Sequence, residues 1–532
     1  MLRKEVAFMN SWKSNAVFYQ IYPTSFYDGN GDGIGDFVGM IEKLDYVKSL
    51  GVDAVWLNPF YLSPFMDGGY DVEDYYQVDP RFGTMQDFEN FVAKAKSLGI
   101  RVVVDLVIGH TSFKNKWFIE SGKNERNEKS DWYIWTSSHA ERYPDKTIVG
   151  LFERDGAYFI NYYACQPALN FGWIFEKEEK RGDWQMHYTD ERLVPLREEI
   201  IKVMQFWMSK GIDGFRVDMA SHLVKGGEFE TEDPKLFAGI KWLWEKLMAP
   251  IKAQYPEVFF VAEWDNPVTS VGECGFDSDF ILHDIPCYND LFRNEPGSNL
   301  YRFFEKGHSY FSKEGKGSLK EFIKYSQHVY DKVDGKGSYT VPSGNHDQVR
   351  LAHNRDDAML KTVFAFLLTH KHIPFIYYGD EIGIEHDFSV NKDGGFIRTG
   401  SRTPMQWTNG KNRGFSTFDG ELYLPVNSDE NQSVESQEKD ENSLLNTVRE
   451  LIAIRKEYSC LNAEGDFIVI EDGYPFIYER KDQNGSVIVL INPSDNNYQR
   501  EIAYSKVIKA VNAQLDGESV TLGAQSFAIL KK

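Results

Sequence analysis

The feature that most narrows what this chain can fold into is a serial alternation of short apolar β-type runs with stretches of helix length. The strand candidates are Val17–Tyr22, Val52–Asn58, Arg101–Ile108, Gly211–Asp218, Val258–Trp264, Phe280–His283, Tyr339–Asp347 and Ile373–Tyr378. Between them, Phe37–Leu50 and Phe88–Leu98 read as helices stopped by Gly51 and Gly99. Leu196–Ser209 sets Ile200, Val203, Met204 and Trp207 on one helical face. Strand–helix units in series build a parallel sheet, and eight of them close a barrel. An open doubly wound sheet is the alternative, but it usually carries a Gly-rich first turn, which this chain lacks. The expected fold class is α/β, a (β/α)8 barrel.

The stretch Gly109–Phe175 is too long for a simple connection after the third strand. Rich in Trp, Tyr and charge, with irregular, non-helical patterning, it reads as an inserted small domain. Residues 1–108 and 176–457 then make the barrel, and 109–175 the insert. Pro425–Asn442 reads in isolation as a disordered acidic linker, followed by a helix, Ser443–Lys456. Beyond about Tyr458 the pattern changes. Phe467–Glu471, Phe476–Arg480 and Val487–Asn492 are short strands, the last two joined through Asn484-Gly485. Residues 458–532 are expected to form a separate C-terminal antiparallel β-sandwich domain.

In a parallel barrel the reactive groups gather at the C-terminal strand ends. Here those ends carry Asp105 and His110, Arg216 and Asp218, Glu263, and His346 with Asp347. Arg216 and Asp218 stand two apart, on one face of a strand. Alone they fit a structural ion pair as well as an ionised nucleophile. Four acids, two histidines and an arginine on one rim favour chemistry, because clustered like charges are costly unless used. No H-x-x-x-H or H-x-H spacing supports metal ligation by the same residues. Separately, Asp28, Asn30, Asp32, Ile34 and Asp36 occupy positions 1, 3, 5, 7 and 9 of a loop with glycine at 6. That is calcium-loop spacing without the usual closing glutamate, whose place Gly39 takes. A hydrated glycine-rich turn is the other reading.

The net charge of −21 offers no basic surface to nucleic acid or to an anionic membrane. A neutral partner is the simplest match to an aromatic content of 15%, since flat rings serve either large cores or sugar platforms. Cys165, Cys274, Cys287 and Cys460 lack C-x-x-C spacing, so neither a zinc site nor a disulfide framework is expected. Met1–Asn10 has no signal-peptide apolar core, and no run is long enough to span a bilayer. The expectation is a cytoplasmic protein, monomer or homodimer, with no membrane partner.

Asp105–His110, Gly214–His222, Val261–Glu263 and Asn345–Asp347 stand in the order of the four short segments of the α-amylase superfamily, glycoside hydrolase family 13. The chain resembles that family over nearly its whole length. Within it, Asp28–Asp36, Gln166–Asn170 and Arg402–Trp407 resemble the oligo-1,6-glucosidase and α-glucosidase branch. The resemblance implies Asp218 as nucleophile, Glu263 as general acid/base and Asp347 as transition-state stabiliser. It also implies that His110 and His346 bind sugar hydroxyls, that Asp67 and Tyr70 hold the non-reducing glucose, and that Arg398 pairs with Asp67. The Asp28–Asp36 loop would carry a structural calcium or magnesium ion. Arg216 is expected to keep Asp218 charged, and the apolar run before Glu263 to favour that residue's protonated form.

Some positions depart from the pattern. Gly109 stands where α-amylases place a calcium-binding asparagine, Ala168 replaces an acid, and Met219 follows the nucleophile where the residue goes with linkage. His222 falls at an acceptor-side position. The function expected is a retaining, exo-acting α-glucosidase on short α-gluco-oligosaccharides or disaccharides, working through a covalent glucosyl-enzyme intermediate. A transglucosylase or sucrose/trehalose-type isomerase, an α-amylase on maltooligosaccharides, and a non-catalytic sugar-binding relative are the alternatives.

Overall fold

Period-two alternation decides which residues of each central strand meet. In the computed structural model these strands are β1 (Phe18–Ile21), β2 (Ala54–Leu57), β3 (Arg101–Leu106), β4 (Gly214–Val217), β5 (Phe259–Ala262), β6 (Ser278–Phe280), β7 (Ser338–Thr340) and β8 (Phe375–Tyr377). The structure describes residues 11–143, 145–175, 182–226, 234–282, 285–296, 306–427 and 432–532. All eight strands are parallel, run in sequence order from β1 to β7, and return to β1 through β8. The ring closes between β7 and β8 through a bridge at Pro342 and Phe375 and a bond from the Ile373 N–H to the Tyr339 carbonyl. It is the expected (β/α)8 barrel.

Phe18, Ala54, Val103, Phe259, Val261, Phe280 and Phe375 form an apolar plug of their own, with the Phe18 and Phe375 rings stacked 4.3 Å apart. Two residues further along the first four strands, the same face presents Gln20, Trp56, Asp105 and Arg216. The alternate residues, such as Tyr19, Val55, Val104 and Phe260, belong instead to the core shared with helices Phe37–Ser49, Met85–Ser97 and Val194–Ser209. The barrel thus puts its polar face at one end of a dry plug.

Two strands differ from the sequence reading. β6 starts two residues earlier than Phe280, because its Ser-Asp-Phe sequence hides a strand whose acid is hydrogen-bonded inside; His283 lies outside the described residues. β7 ends at Thr340 rather than at Asp347, since Pro342 has no N–H to give a ladder and the chain then turns over the barrel mouth. The insert is not free of helix: Lys116–Ser121 is helical, capped by Asn115. Nor is Pro425–Asn442 wholly a linker. Residues 428–431 lie outside the described residues, but Val434–Glu438 is a helix capped by Ser433. Its Gln437 donates to the Ile382 carbonyl and accepts the Leu445 N–H, so side-chain bonds fix what composition suggested was loose.

The tail is antiparallel, as expected. Asp466–Asp472, Phe476–Asp482, Gly485–Asn492, Tyr498–Glu501, Lys506–Asp516 and Ser519–Lys531 share one hydrogen-bonded sheet. All four cysteines are buried and free. Met1–Asn10 lie outside the described residues, and no described helix is long and apolar enough to cross a membrane.

Candidate active site

The ends of β3, β4 and β5 bring three carboxyls onto one guanidinium. Arg216 donates through Nη1 to Asp105 (2.7 Å) and Asp218 (2.9 Å), and its Nη2 lies 2.7 Å from Glu263. Arg216 is buried, with its guanidinium 5.2 Å from the Trp56 ring centre. Asp105 is fully enclosed and also accepts from Trp56 Nε1 and the Tyr70 hydroxyl, so it anchors the arginine rather than facing the mouth.

One arginine does not neutralise this group. Burial and the neighbouring Glu263 carboxylate push the Asp218 carboxyl well above the usual carboxylate range, against the pull of Arg216. The expectation that Arg216 alone keeps Asp218 charged is therefore corrected: Asp218 shares that cation with Asp105 and Glu263, and its carboxyl stays raised despite it. The apolar surroundings expected for Glu263 are also absent. Its side chain is 25% exposed, its Oε1 is ion-paired to Arg216, and its Oε2 accepts the Met219 N–H at 3.2 Å. Met219 achieves this in the left-handed region, φ 47°.

Asp347 is in the opposite condition. Burial opposes its charge, but His346, Arg398 and Arg402 together hold its carboxyl well below the usual range. Arg398 and Arg402 donate to Oδ1 at 2.9 and 2.8 Å, and His346 Nε2 lies 3.3 Å from Oδ2. Gln20 Nε2 lies 3.1 Å from His346 Nδ1 and fixes the ring's orientation from behind. His346 stacks on Tyr70 at 5.0 Å, nearly coplanar.

Asp67 closes the far side. It accepts from Arg398 Nη2 at 3.2 Å and from Gln166 Nε2 at 2.8 Å, while Arg398 also donates to the Tyr163 hydroxyl. Burial pushes the His110 imidazole down to about 4, so it is neutral. Both its ring nitrogens are engaged, Nε2 with the Tyr70 carbonyl and Nδ1 facing Asn161, so it reaches a substrate hydroxyl only by exchanging one of them.

Asp218, Glu263, Asp347, Asp67, Tyr70, Arg216, His346 and Arg398 thus form one connected network, and His110 joins it through Tyr70 and the insert. Sequence reasoning gave no individual role to Gln166, Tyr163, Asn161 and Arg402. Gln166 and Arg402 sit inside quoted motifs, so they had a signal; Tyr163 and Asn161, in the insert's irregular stretch, had none. Missed too was the relay Gln20–Asn58–Tyr70–Asp105, in which three strand-end residues and the loop residue Tyr70 are linked by side-chain bonds of 2.8, 2.9 and 3.1 Å.

The loop expected to hold a cation is pinned elsewhere, against Phe415 and Ser416. Asp28 accepts the N–H groups of Gly31 and Gly33, Asn30 that of Asp32, Asp32 that of Ile34, and Asp36 those of Gly29, Asn30 and Gly39. These bonds fix the loop's shape, and carboxylate oxygens so used keep a second lone pair for a cation. Among the described residues, no cluster of three His, Cys, Asp or Glu side chains could hold a metal, so a cation here would lean on Asn30 and the Ile34 carbonyl.

A (β/α)8 barrel whose mouth sets two carboxyls on one guanidinium and a third between two arginines has the make-up of a carboxylate-dependent glycoside hydrolase. The α-amylase catalytic-domain family matches residues 20–464, and the chain belongs to that family. It is 30% identical to alpha-amylase 3 of Dictyoglomus thermophilum over 98% of this chain and 94% of that protein. It is 32% identical to an oligo-1,6-glucosidase of Heyndrickxia coagulans over 92% and 93%. Among solved structures, the trehalulose synthase MutB of Pseudomonas mesoacidophila superimposes with a TM-score of 0.82 at 26% identity, covering 98% of this chain and 99% of that one.

Proposed function

We propose that this protein is a retaining, exo-acting α-glucosidase that removes the non-reducing glucose from short α-gluco-oligosaccharides or disaccharides. The observation that carries it is the Asp67–Arg398–Asp347 chain, at 3.2 and 2.9 Å, walled by Gln166 and Tyr163. Such a wall ends the pocket after one sugar, supplies charged partners to its terminal hydroxyls, and leaves a longer glucan nowhere to continue.

In this reading Asp218, in its ionised form, attacks the anomeric carbon as the glycosidic C–O bond breaks and the Glu263 proton passes to the departing oxygen. The cationic transition state is met by Asp347, already ionised. Glu263, now a carboxylate, takes a proton from water; the water oxygen bonds to the anomeric carbon, the ester to Asp218 breaks, and glucose leaves with retained configuration. Because Asp218 starts with a raised pKa, activity is expected to fall on acidification at a higher pH than an ordinary carboxylate would give. Turnover on maltose, isomaltose, sucrose and trehalose tests the reading; inactivity on all four overturns it, and rapid shortening of starch points instead to an endo-acting amylase.

The likeness to a trehalulose synthase supports a second reading on the same machinery, in which a sugar hydroxyl replaces water at the second step. Product analysis at high substrate concentration separates the two. For the Asp28–Asp36 loop we propose a structural calcium ion, on the spacing and on the burial of Asp28 and Asp36. Chelation is then expected to lower the melting temperature without changing the substrate range, and an unchanged melting temperature overturns the ion. Four free, buried thiols accord with the cytoplasmic location included in this proposal.

A further inference from the structure

Asp279 is a buried acid to which the glucosidase mechanism gives no part. It sits on β6, fully enclosed, and no cation is paired with it among the described residues. Instead its carboxylate gathers three donors from the segment that follows Glu263. The Trp264 N–H donates to Oδ1 at 3.0 Å, and the Asn266 N–H and Ser270 hydroxyl donate to Oδ2 at 2.9 and 2.7 Å. Between them, Asp265 is held in the left-handed region, φ 61°, and its side chain accepts the Leu282 N–H just beyond β6. Asn266 then caps the short helix Pro267–Ser270.

Glu263 is the last residue before this suspended segment. Its own backbone is fixed to β4, through its N–H to the Val217 carbonyl and its carbonyl to the Ala220 N–H. Its other flank, from Trp264 on, depends on Asp279. Burying a carboxylate without a cation is expensive, and three donors are what make it tolerable. Even with them, burial pushes the Asp279 carboxyl up to about 7.

We infer that Asp279 is a positioning residue for the acid/base: it suspends the Trp264–Ser270 segment so that the Glu263 carboxyl is held where it delivers a proton to the leaving oxygen. The inference rests on the glucosidase reading through the role of Glu263. It predicts a chemical signature that general loosening would not give. Misplacing a proton donor harms substrates whose leaving group needs the proton and spares those whose leaving group does not.

The test is Asp279→Asn, assayed well below its melting temperature on an α-linked disaccharide the wild type cleaves and on α-glucosyl fluoride. Asparagine keeps the shape but turns an NH2 donor toward an N–H. Expected is a loss of about 30-fold in kcat/KM on the disaccharide, part of the value of a general acid, with less than about threefold in kcat/KM on the fluoride, because kcat/KM reports the first step alone while the base-assisted second step is common to both. The basic limb of the pH profile should move. Ser270→Ala, which removes one donor and leaves the backbone alone, is expected to give the same split in weaker form, and replaces the first variant should that not fold. Equal losses on both substrates make Asp279 merely structural and overturn the inference while leaving the glucosidase reading intact. A wild type that cleaves no α-linked disaccharide and is inactive on the fluoride overturns the reading and the inference together.

Discussion

At the scale of single residues, the carboxyls of Asp218 and Asp347 are shifted in opposite senses, and stability should report it. Asp218 has a raised pKa, so its contribution to folding is complete below the ordinary carboxylate range and is lost as pH rises through its folded value. Ionised, it carries a charge that burial penalises and that asparagine lacks. Asp218→Asn is therefore expected to abolish glucoside cleavage yet raise stability at pH 7 by about 1–3 kcal/mol, the gain closing toward pH 4. Asp347 is depressed, so its contribution is complete above the ordinary range and lost as pH falls through its folded value. Asp347→Asn leaves Arg398 and Arg402 facing a neutral group. With the carboxylate 27% exposed, about 2 kcal/mol of stability should disappear at pH 7, less than for a fully enclosed pair. Melting curves of both variants across pH check the signs; two shifts of the same sign would contradict this account. Position at a strand end was enough to find these acids in the sequence. Their opposite shifts were not, because they depend on Arg216 being shared three ways while Asp347 is met by two arginines at once.

At the scale of elements, the strands were legible where several apolar residues accompanied any buried polar one; β6 was misplaced because Asp279 sits in the middle of a run of only three, and β7 was overextended because Pro342 ends its ladder. The insert was legible as an insertion but not as a part of the site, since its contribution rests on single side chains in irregular backbone. Asn161 is the clearest case. It donates to the Gly109 carbonyl at 2.7 Å and accepts Lys225 Nζ at 3.0 Å, tying the insert to the loops after β3 and β4. Gly109, met in the sequence as a missing asparagine, gains its meaning here. A Cβ at that position would lie 3.1 Å from Asn161 Nδ2, so the bare glycine leaves room for the tie. Asn161→Ala is expected to raise KM about tenfold while costing about 1–2 kcal/mol of stability, as His110 loses its neighbour and Lys225 a partner. Gly109→Ala should act in the same direction by displacing the amide. Steady-state kinetics beside thermal melts decide it; an unchanged KM in both variants would show that the insert does not set the pocket.

At the scale of the whole molecule, the separate C-terminal domain read from the change of pattern is separate in sequence but not in packing. Its Phe476, Tyr478, Val487, Val489, Phe527 and Ile529 belong to the same core as the barrel's outer face. Arg480 in the tail donates to the Thr369 carbonyl, and Arg455 donates to the carbonyls of Leu368, His370 and His372, so two buried cations hold the turn between helix Asp357–Thr369 and β8. His370 lies among them, surrounded by Phe322, Phe366, Phe467 and Tyr478, and neither of its ring nitrogens has a hydrogen-bond partner among the described residues. Burial, with His372, Arg480 and Arg455 adding to it, holds its pKa well below the ordinary histidine range. A depressed histidine stabilises fully above its unfolded value, near 6.5, and that stability is lost as pH falls toward its folded value, at up to about 1.4 kcal/mol per pH unit. Phenylalanine fills a similar ring-lined space, forfeits no hydrogen bond and cannot be protonated. Whatever its baseline at pH 7, His370→Phe should melt progressively above the wild type between pH 6.5 and 5. In both proteins barrel and tail should unfold in one calorimetric transition, because the junction that fails is common to both. A melting difference independent of pH would remove His370 from the acid sensitivity, and two resolved transitions would show that the tail folds apart from the barrel.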